Sequence, residues 1–469
     1  MKVVLLSGGS GKRLWPLSNE TRSKQFLKVL KAPDGRPESM VQRVWRQLGQ
    51  AGLRRDAHIS TSRSQVEMLQ AQLGLDVPII VEPERRDTFP AIALAATYLY
   101  SVAGVGLGET VAVLPVDPYV EDDFFTRLLT LESLLQQTEA KVGLIGIKPD
   151  SPSSKFGYIV PKPSDASSEG QRKYIQVSHF VEKPRAPQAE DLIRQGSLWN
   201  SGVFVFRLDY LIQLLIDRGL PIQFEQMRKA YHQLPRISFD YEVLEKETDI
   251  IASIYDGCWQ DLGTWNALVE YMPDPVSGKA IVSDDCRDVR VINELDIPIA
   301  LVGMKDMIVA ASPDGILVSS KEASPGIKDV VQCLEQRPMY EERRWGWYKV
   351  LDFSVTGEGR QTLTKRICIH AGKHLSYQLH EMRDEVWTII SGSGEVIVNE
   401  RLMPVKAGDV LHIPAGTRHS VRAIQDLGII EVQTGSLLIE EDITRLIMDW
   451  EEMLQLCSSR ISLINKTMF

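Results

Sequence analysis

The hydrophobic pattern of the first 270 residues alternates short apolar runs with stretches of helical periodicity. The apolar runs predict buried strands at residues 3–6, 79–81, 111–116, 142–147 and 203–206. The helical pattern predicts helices between them, among others at residues 40–50, 90–100 and 123–137. Because strands and helices alternate, the pattern predicts a doubly wound, mostly parallel α/β sheet. Such sheets bind ligands at the carboxyl ends of their strands.

The pattern changes character after residue 270. Residues 271–335 contain short apolar runs separated by Asp, Pro and Gly, which predict a small β unit that resembles a β-helix. Residues 336–344 are charged and are predicted to be a linker. From residue 345 to about 432 the chain is rich in predicted strands with regular Gly turns, which favours a β-sandwich or barrel.

The last predicted element is an amphipathic helix over residues 440–456, where apolar residues recur every three or four positions. The sequence therefore predicts three parts, at residues 1–270, 271–335 and 345–456. No internal repeat and no low-complexity tract is visible.

Charge and cysteine content narrow the function classes. The 469 residues contain 53 Lys and Arg against 62 Asp and Glu, a formal net charge of −9. This balance argues against a general nucleic-acid binder but not against one local basic pocket. The five cysteines form no CxxC pair, which predicts a reducing compartment without a disulfide framework. No signal peptide or membrane-spanning stretch is visible, so we expect a cytoplasmic protein without a membrane partner.

A glycine-rich loop follows the first predicted strand. Gly8, Gly9 and Gly11 leave backbone N–H groups open to an anion, and Lys12 and Arg13 add positive charge. The loop is not a Walker A motif, because arginine instead of Ser or Thr follows Gly-Lys, and it lacks the third glycine of a dinucleotide fingerprint. A phosphate cradle is the expectation, and a plain strand-to-helix turn is the alternative.

The wider sequence is far more specific. The string Gly-Gly-Ser-Gly-Lys-Arg-Leu-Trp-Pro-Leu at residues 8–17, followed by Ser-Lys-Gln-Phe-Leu at 23–27, resembles the signature of sugar-1-phosphate nucleotidyltransferases. Further segments resemble the mannose-1-phosphate guanylyltransferase branch in the same order, at residues 82–96, 114–118, 156–159, 180–184, 199–206 and 261–265. The resemblance covers about residues 1–335. It implies a Rossmann-like nucleotidyltransferase fold and the transfer of GMP from GTP to mannose 1-phosphate, giving GDP-mannose and pyrophosphate.

The resemblance also implies roles for individual residues. Arg13 and Lys24 would neutralise the triphosphate, and Asp117 and Asp261 would hold Mg²⁺, which prefers carboxylate and phosphate oxygens. The implied nucleotide-binding residues are Gly8, Gly9, Gly11, Lys12, Arg13, Glu82 and Arg86, and the implied sugar-phosphate-binding residues are Gly157, Glu182, Lys183 and Asn200. We expect a homo-oligomer whose partners are GTP and mannose 1-phosphate.

Each of these residues has a structural alternative. Asp117 could cap a helix, Asp261 could belong to a turn and Lys24 could be a surface lysine. The chain also departs from the branch, with Pro118 where His is usual and Asp87 where Asn is usual. These departures bear on the sugar and the base more than on the reaction type.

A second candidate site lies near the C-terminus, where five of the eight histidines fall between residues 370 and 419. Gln378 and His380 are two apart on a predicted strand and therefore share one face. Glu385 and His419 could complete a four-ligand site, and mixed imidazole and oxygen ligands suit Zn²⁺, Mn²⁺ or Fe²⁺.

The spacing of these residues resembles the paired motifs of cupins, and the whole region resembles the type II mannose-6-phosphate isomerase domain. The resemblance implies a cupin barrel, Zn²⁺ or another divalent metal, and interconversion of mannose 6-phosphate and fructose 6-phosphate. The family core usually reads Gln-Met-His-His-His-Arg-Ala-Glu-His-Trp, whereas this chain has Glu381, Met382 and Val386 at three of the histidine positions. We expect His370, His374 and His412 to be structural.

Three hypotheses remain open at this point. The first is a guanylyltransferase joined to an isomerase. The second is a nucleotidyltransferase for another sugar 1-phosphate with a non-catalytic, metal-binding cupin. The third is a non-catalytic sugar-nucleotide binding protein. The presence of both Asp117 and Asp261 favours a catalyst, because a binding protein would not need two metal-binding carboxylates.

Overall fold

A computed structural model describes residues 1–9, 11–163, 174–334 and 336–467, with side chains described as far as residue 458. Strands and helices are numbered here in chain order. Three parts follow one another along the chain, namely a large α/β part, a small β unit and a β-rich C-terminal part.

The first part is a mixed sheet covered by helices. Its strands are β1 (Lys2–Leu6), β2 (Leu30–Lys31), β3 (Pro37–Glu38), β4 (Ala57–Ser62), β5 (Ile79–Glu82), β6 (Thr110–Pro115), β7 (Pro118–Val120), β8 (Val142–Ile147), β9 (Tyr158–Pro161), β10 (Tyr174–Val181), β11 (Leu198–Arg207), β12 (Ile250–Tyr255) and β13 (Trp259–Asp261). Its helices are α1 (Met40–Gln50), α2 (Val66–Leu73), α3 (Thr88–Ser101), α4 (Thr126–Gln137), α5 (Ala186–Arg194), α6 (Leu208–Asp217), α7 (Phe224–Ala230) and α8 (Trp265–Glu270).

Nine of the described strands form the main sheet, in the order β5-β4-β1-β6-β11-β8-β12-β10-β9. Seven of them run in one direction, and only β10 and β11 run against them. The prediction of a mostly parallel sheet is therefore confirmed. All six residues of β8 are buried, as the continuous apolar run predicts for a strand covered on both faces.

Local chemistry explains where the helices begin. Ser39 accepts a hydrogen bond from the backbone of Gln42, whose side chain bonds back to Ser39, so α1 starts with a reciprocal capping box. Thr264 caps α8 through its side chain, which accepts a hydrogen bond from the backbone of Ala267. Ten of the fourteen residues of α3 are buried, which explains why its sequence is apolar nearly all round.

The small β unit contains β14 (Val276–Ser277), β15 (Ala280–Val282), β16 (Arg290–Asn293), β17 (Ile299–Leu301), β18 (Met307–Ser312) and β19 (Gly315–Ser320), followed by the short helix α9 (Ile327–Val331). Strands β14, β16 and β18 pair in parallel, and so do β15 and β17. This stacking of successive turns is that of a small β-helix. One apolar cluster joins Leu14 of the glycine-rich loop region, Trp265 of α8 and Ile308 of β18.

The C-terminal part contains β20 (Tyr340–Arg343), β21 (Gly346–Val355), β22 (Gln361–Ile369), β23 (Tyr377–Leu379), β24 (Arg383–Ser391), β25 (Ser393–Val398), β26 (Arg401–Lys406), β27 (Val410–Ile413), β28 (His419–Ala423), β29 (Leu427–Gly435) and β30 (Thr444–Ile447), followed by α10 (Trp450–Thr467). Within residues 336–467, six strands form one antiparallel sheet and five form another. The inner faces of the two sheets enclose one apolar cluster, as expected for a cupin barrel.

Two boundaries differ from the sequence prediction. The predicted charged linker at 336–344 includes β20, whose residue Tyr340 pairs with Lys349 of β21, so the sheet begins before residue 345. The predicted helix at 440–456 is wrong in its first half, because Thr444–Ile447 forms β30 and pairs with β23. The helix starts only at Trp450, where Asp449 accepts a hydrogen bond from the backbone of Glu452.

No helix in the described ranges combines the length and the apolar character that crossing a bilayer requires. All five cysteines are free thiols.

Candidate functional site

Two carboxylates and one lysine meet beyond the carboxyl end of β6. Asp117 lies between β6 and β7, and Asp261 ends β13. Strands β7 and β13 pair antiparallel with Asp261 opposite Pro118, and this ribbon places the two carboxylates side by side. The ammonium nitrogen Nζ of Lys24 lies 2.6 Å from Oδ2 of Asp117 and 3.1 Å from Oδ1 of Asp261. The two aspartates are partly exposed, so the group faces solvent and can receive a ligand.

Electrostatics keep this lysine charged. Burial opposes the charge on Lys24, but the carboxylates of Asp117 and Asp261 outweigh it and raise the pKa of the ammonium group. Gly263 packs against the group, because a Cβ atom there would lie 2.9 Å from Oδ1 of Asp261 and 3.1 Å from Nζ of Lys24. Asp117 is therefore bound to Lys24 and does not serve as a helix cap, and Lys24 is not a freely solvated surface lysine.

The glycine-rich loop lies at the carboxyl end of β1. A Cβ atom at Gly11 would overlap the carbonyl oxygen of Asn19, so close backbone packing requires glycine there. Lys12 does not face the carboxylates, because its Nζ lies 3.4 Å from the carbonyl oxygens of Gln332 and Leu334 at the small β unit. Arg13 is exposed and makes no hydrogen bond or ion pair to another described residue, which leaves its guanidinium available to an anion.

The predicted nucleotide residues of β5 and the following loop have different surroundings. Glu82 is buried below Gly8, accepts hydrogen bonds from Ser60 and Tyr231, and has its pKa raised by burial. The guanidinium of Arg86 is bound to Glu84 at 2.8 Å and to the carbonyl oxygen of Leu234 at 2.6 Å. In this structure Arg86 therefore anchors the loop before α3.

The four predicted sugar-phosphate residues come together at a second place on the sheet. The backbone N–H of Asn200 donates to the carbonyl oxygen of Gly157 at 2.8 Å. A Cβ atom at Gly157 would contact the carboxylate of Glu182, whose Oε1 lies 2.5 Å from Nζ of Lys183. Lys183 itself adopts a left-handed backbone conformation with φ of 45°.

Asp240, for which no role was predicted, also belongs to this group. The amide of Asn200 donates to Oδ1 of Asp240 at 2.8 Å. Burial, and next the charge of Glu182, raise the pKa of Asp240 to about 7. Asp240 lies in the segment Ser-Phe-Asp-Tyr-Glu-Val-Leu-Glu at residues 238–245, and the resembled branch, which usually reads Ser-Ile-Asp-Tyr-Ala-Val-Met-Glu there, shares this aspartate.

The C-terminal candidate ligands converge inside the barrel. Nε2 of His380 lies 3.3 Å from Oε1 of Glu385, and Nε2 of His419 lies 3.6 Å from Oε2 of the same carboxylate. The amide nitrogen of Gln378 lies 3.4 Å from Nε2 of His380. One ligand atom each from His380, Glu385 and His419 falls within 4.8 Å of the others, and all three residues are buried.

The surroundings of these residues fit a bound metal. Nδ1 of His380 and Nδ1 of His419 face the carbonyl oxygens of Asp442 and Thr417, which fixes the rings with Nε2 towards the centre. Nε2 of His419 is buried and has no hydrogen-bond partner among the described residues. Burial lowers the pKa of His380 to about 4, so this ring is in the neutral form that binds metals.

Further polar side chains extend from the ligands along the inner face of the larger sheet. Arg383 donates to Oε1 of Glu385 and also faces Nε2 of His380 at 3.2 Å. Lys365 lies opposite Glu431 in the β22–β29 pairing and binds Glu440 at 2.7 Å. Buried charges of this kind contribute little net stability, so packing alone does not account for them.

The three replaced histidine positions lie outside this interior. Glu381, Met382 and Val386 are all exposed, while their neighbours Arg383, Glu385 and Trp387 point inward. The other histidines of the barrel are not part of the group formed by His380, Glu385 and His419. His370 and His412 are exposed, and His374 packs against Trp450 with 5.7 Å between the ring centroids.

This sheet, with a glycine-rich loop and paired aspartates at its carboxyl edge, is the arrangement of a nucleotidyltransferase. Residues 2–276 match the family model described as Nucleotidyl transferase, which is more than half of the chain. Residues 282–334 match a MannoseP isomerase/GMP-like beta-helix domain, and residues 334–448 match Mannose-6-phosphate isomerase C-terminal. Domains of the first and last kind generally use divalent metals.

Within the nucleotidyl transferase family, the chain belongs to the mannose-1-phosphate guanylyltransferases that carry the isomerase-like domain. It is 30% identical to a mannose-1-phosphate guanylyltransferase of Klebsiella pneumoniae, over 94% of this chain and 98% of that one. It is also 30% identical to the xanthan biosynthesis protein XanB of Xanthomonas campestris pv. campestris strain B100, over 94% and 97% of the two chains. Both family resemblances seen in the sequence are confirmed.

A solved structure supports the fold of the first two parts. A crystal structure described as mannose-1-phosphate geranyltransferase from Thermus thermophilus is 29% identical and superposes with a TM-score of 0.58. The match covers 71% of this chain and 99% of the other.

Proposed function

We propose that the N-terminal part transfers GMP from GTP to mannose 1-phosphate. A phosphate oxygen of mannose 1-phosphate attacks the α-phosphorus of GTP and forms the new P–O bond. The bond from the α-phosphorus to the bridging oxygen breaks, and pyrophosphate leaves with the electron pair. The observation that supports this proposal best is the convergence of Lys24, Asp117 and Asp261 at the carboxyl edge of the sheet.

The residues act by positioning and by charge, because no covalent intermediate with the protein is needed. Asp117 and Asp261 would hold Mg²⁺, which screens phosphate charge when it is bound. Lys24 stays protonated between them and stabilises the charge that develops on the phosphates. Arg13 is free to bind the triphosphate beside the loop glycines.

The sugar phosphate would bind where Asn200, Glu182 and Lys183 meet. Lys183 offers a cation to the phosphate, and Glu182 can accept hydrogen bonds from sugar hydroxyls. The amide of Asn200 is fixed by Asp240 and by the backbone N–H of Gly202 at 3.1 Å, so its orientation is set before the ligand arrives.

The test is pyrophosphate release with Mg²⁺, in which GTP, ATP, UTP, CTP and dTTP are each offered with mannose 1-phosphate and glucose 1-phosphate. Release with GTP and mannose 1-phosphate alone is the expected result. In Asp117→Asn, turnover should fall by about two orders of magnitude or more while GTP binding persists. Release with another pair would overturn the substrates and keep the reaction type, whereas no release with any pair would favour the binding-protein hypothesis.

We propose a second function for the C-terminal part, the isomerisation of mannose 6-phosphate and fructose 6-phosphate. The supporting observation is that the three histidine replacements are exposed, whereas Gln378, His380, Glu385 and His419 are together inside the barrel. A bound divalent metal would polarise the sugar oxygens. The proton that leaves C2 of mannose 6-phosphate returns at C1 while a hydroxyl proton moves from O2 to O1, and the reverse transfers restore mannose 6-phosphate.

This activity has its own test. In D₂O, an active isomerase exchanges the C2 proton of mannose 6-phosphate, which is followed by NMR. His419→Gln should abolish exchange and metal binding together. Wild-type protein that binds Zn²⁺ or Mn²⁺ yet exchanges no proton would contradict the isomerase and favour a non-catalytic cupin. The free state of all five cysteines supports a cytoplasmic location as part of this proposal, and the homo-oligomer stays a prediction.

A further inference from the structure

Three arginines lie where the cupin barrel meets α2 of the nucleotidyltransferase part. Arg343 ends β20, Arg344 follows it, and Arg445 belongs to β30. Arg445 is the register partner of Gln378, so it lies on the same face of its sheet as this candidate ligand. The guanidinium of Arg343 lies 5.7 Å from the ring centroid of the buried Tyr348. The cluster is therefore at the rim of the barrel interior.

The negative charge facing these arginines comes partly from another domain. Glu67 of α2 lies 3.5 Å from Arg343 through Oε2 and 3.5 Å from Arg445 through Oε1. Arg343 also forms a close ion pair with the buried Glu341. Arg344 forms no ion pair with another described residue, and burial lowers its pKa although the nearby charge of Glu67 opposes this shift. Three guanidinium groups therefore face the carboxylates of Glu67 and Glu341, while the charge of Glu440 also acts on Arg343.

The contacts of Glu67 are those that a phosphate group would make, with two oxygens each facing one guanidinium. Both distances are long for charge-assisted hydrogen bonds, which are usually about 2.7–2.9 Å, so the carboxylate is held loosely. Arginine is the side chain best suited to bind phosphate oxygens. A phosphomonoester brings more charge and a third oxygen, which the unpaired Arg344 can bind.

We propose that Arg343, Arg344 and Arg445 form the phosphate subsite of the cupin and that Glu67 occupies this subsite as an internal competitor. The ligand is a phosphomonoester such as a sugar 6-phosphate. This inference rests on the proposed isomerase only for the choice of sugar, because phosphate binding is measurable without turnover.

The competitor sits next to residues that hold the glycine-rich loop. Gln65, two residues before Glu67, donates to the carbonyl oxygen of Gly9 at 3.2 Å and to the hydroxyl of Ser23 at 3.0 Å. Glu67 therefore connects the cupin subsite to the helix whose start is bonded to the nucleotide loop, and we expect its displacement to shift that helix. By linkage, a phosphomonoester in the cupin and GTP at the loop then change each other's affinity by the same factor.

The test is isothermal titration of the full-length protein with mannose 6-phosphate, inorganic phosphate and mannose. Glu67→Gln removes the competitor's charge and should tighten mannose 6-phosphate binding by about fivefold. Arg445→Gln should weaken it by about tenfold. Inorganic phosphate should bind the wild type and the two variants in the same order of affinity as mannose 6-phosphate does, but more weakly. Mannose should not bind to any of them.

The matched control is Glu342→Gln, which breaks another ion pair between the same two parts, Glu342 with Lys28 at 3.0 Å, without touching the arginines. It should leave the affinity unchanged. A folded Glu67→Gln protein that binds mannose 6-phosphate no more tightly than wild type overturns the competition, and mannose binding equal to that of mannose 6-phosphate overturns the subsite. The coupling is overturned if saturating mannose 6-phosphate leaves the GTP affinity of the wild type unchanged.

Discussion

Gly263 allows the central charge group to be disturbed without removing any charge. An alanine methyl group would lie 2.9 Å from Oδ1 of Asp261 and 3.1 Å from Nζ of Lys24, whereas ordinary contacts begin at 3.4 Å. The carboxylate must therefore move by about 0.5 Å, and since a misplacement of about 1 Å can cost a hundredfold in rate, we expect kcat to fall about tenfold in Gly263→Ala. The backbone at Gly263 is not left-handed, so the unfolding free energy should change by less than about 1 kcal/mol.

The assay is pyrophosphate release with GTP and mannose 1-phosphate, with kcat and KM determined separately and folding checked by thermal unfolding. Gly106→Ala is the matched control, because a Cβ atom there meets nothing within 4 Å and its backbone is not left-handed either. The reasoning is refuted if Gly263→Ala keeps the wild-type kcat, or if Gly106→Ala loses as much activity.

Three further outcomes are expected. Gly11→Ala should raise KM for the nucleotide by at least about tenfold, because the methyl group overlaps the carbonyl of Asn19 and displaces the loop, and nucleotide titrations would show it. The pKa of Asp240 is about 7 when folded, against an ordinary 3.8, so its contribution to stability falls as pH rises between these values. The unfolding temperature of Asp240→Asn should therefore fall less from pH 5 to pH 8 than that of wild type. Equal falls in the two proteins would contradict a raised pKa at Asp240. Chelation should lower the unfolding temperature by a few degrees and Zn²⁺ should restore it, but neither should affect His419→Gln.

The sequence predicted those parts of the site that depend on short-range patterns. The glycine-rich loop directly follows β1, Gln378 lies on β23 and His380 comes directly after that strand, so local geometry fixes where they lie. The meeting of Asp117 with Asp261 depends on the β7–β13 pairing between segments about 140 residues apart. Only the family resemblance indicated that contact, because no periodicity encodes it.

The misses have physical causes as well. Residues 440–456 contain apolar side chains at helical spacing, but backbone pairing with β23 makes Thr444–Ile447 a strand, and tertiary contacts override the local pattern. Lys12 follows a glycine loop as in many phosphate sites, and its Nζ lies 3.4 Å from carbonyl oxygens at the small β unit, so its role in nucleotide binding stays a prediction. Asp240 was missed because its neighbours Asn200 and Glu182 are distant in sequence.

The apolar cluster that joins Leu14, Trp265 and Ile308 has a consequence for how the molecule unfolds. These residues come from the nucleotide loop region, α8 and the small β unit. Unfolding of the β unit therefore exposes the apolar side chains against which the loop region packs. The first two parts should therefore melt as one cooperative unit in calorimetry, while the barrel, whose apolar cluster is separate, can melt in a transition of its own. A chain shortened to the nucleotidyltransferase alone would lose the order of its glycine-rich loop, although every residue of that loop would still be present.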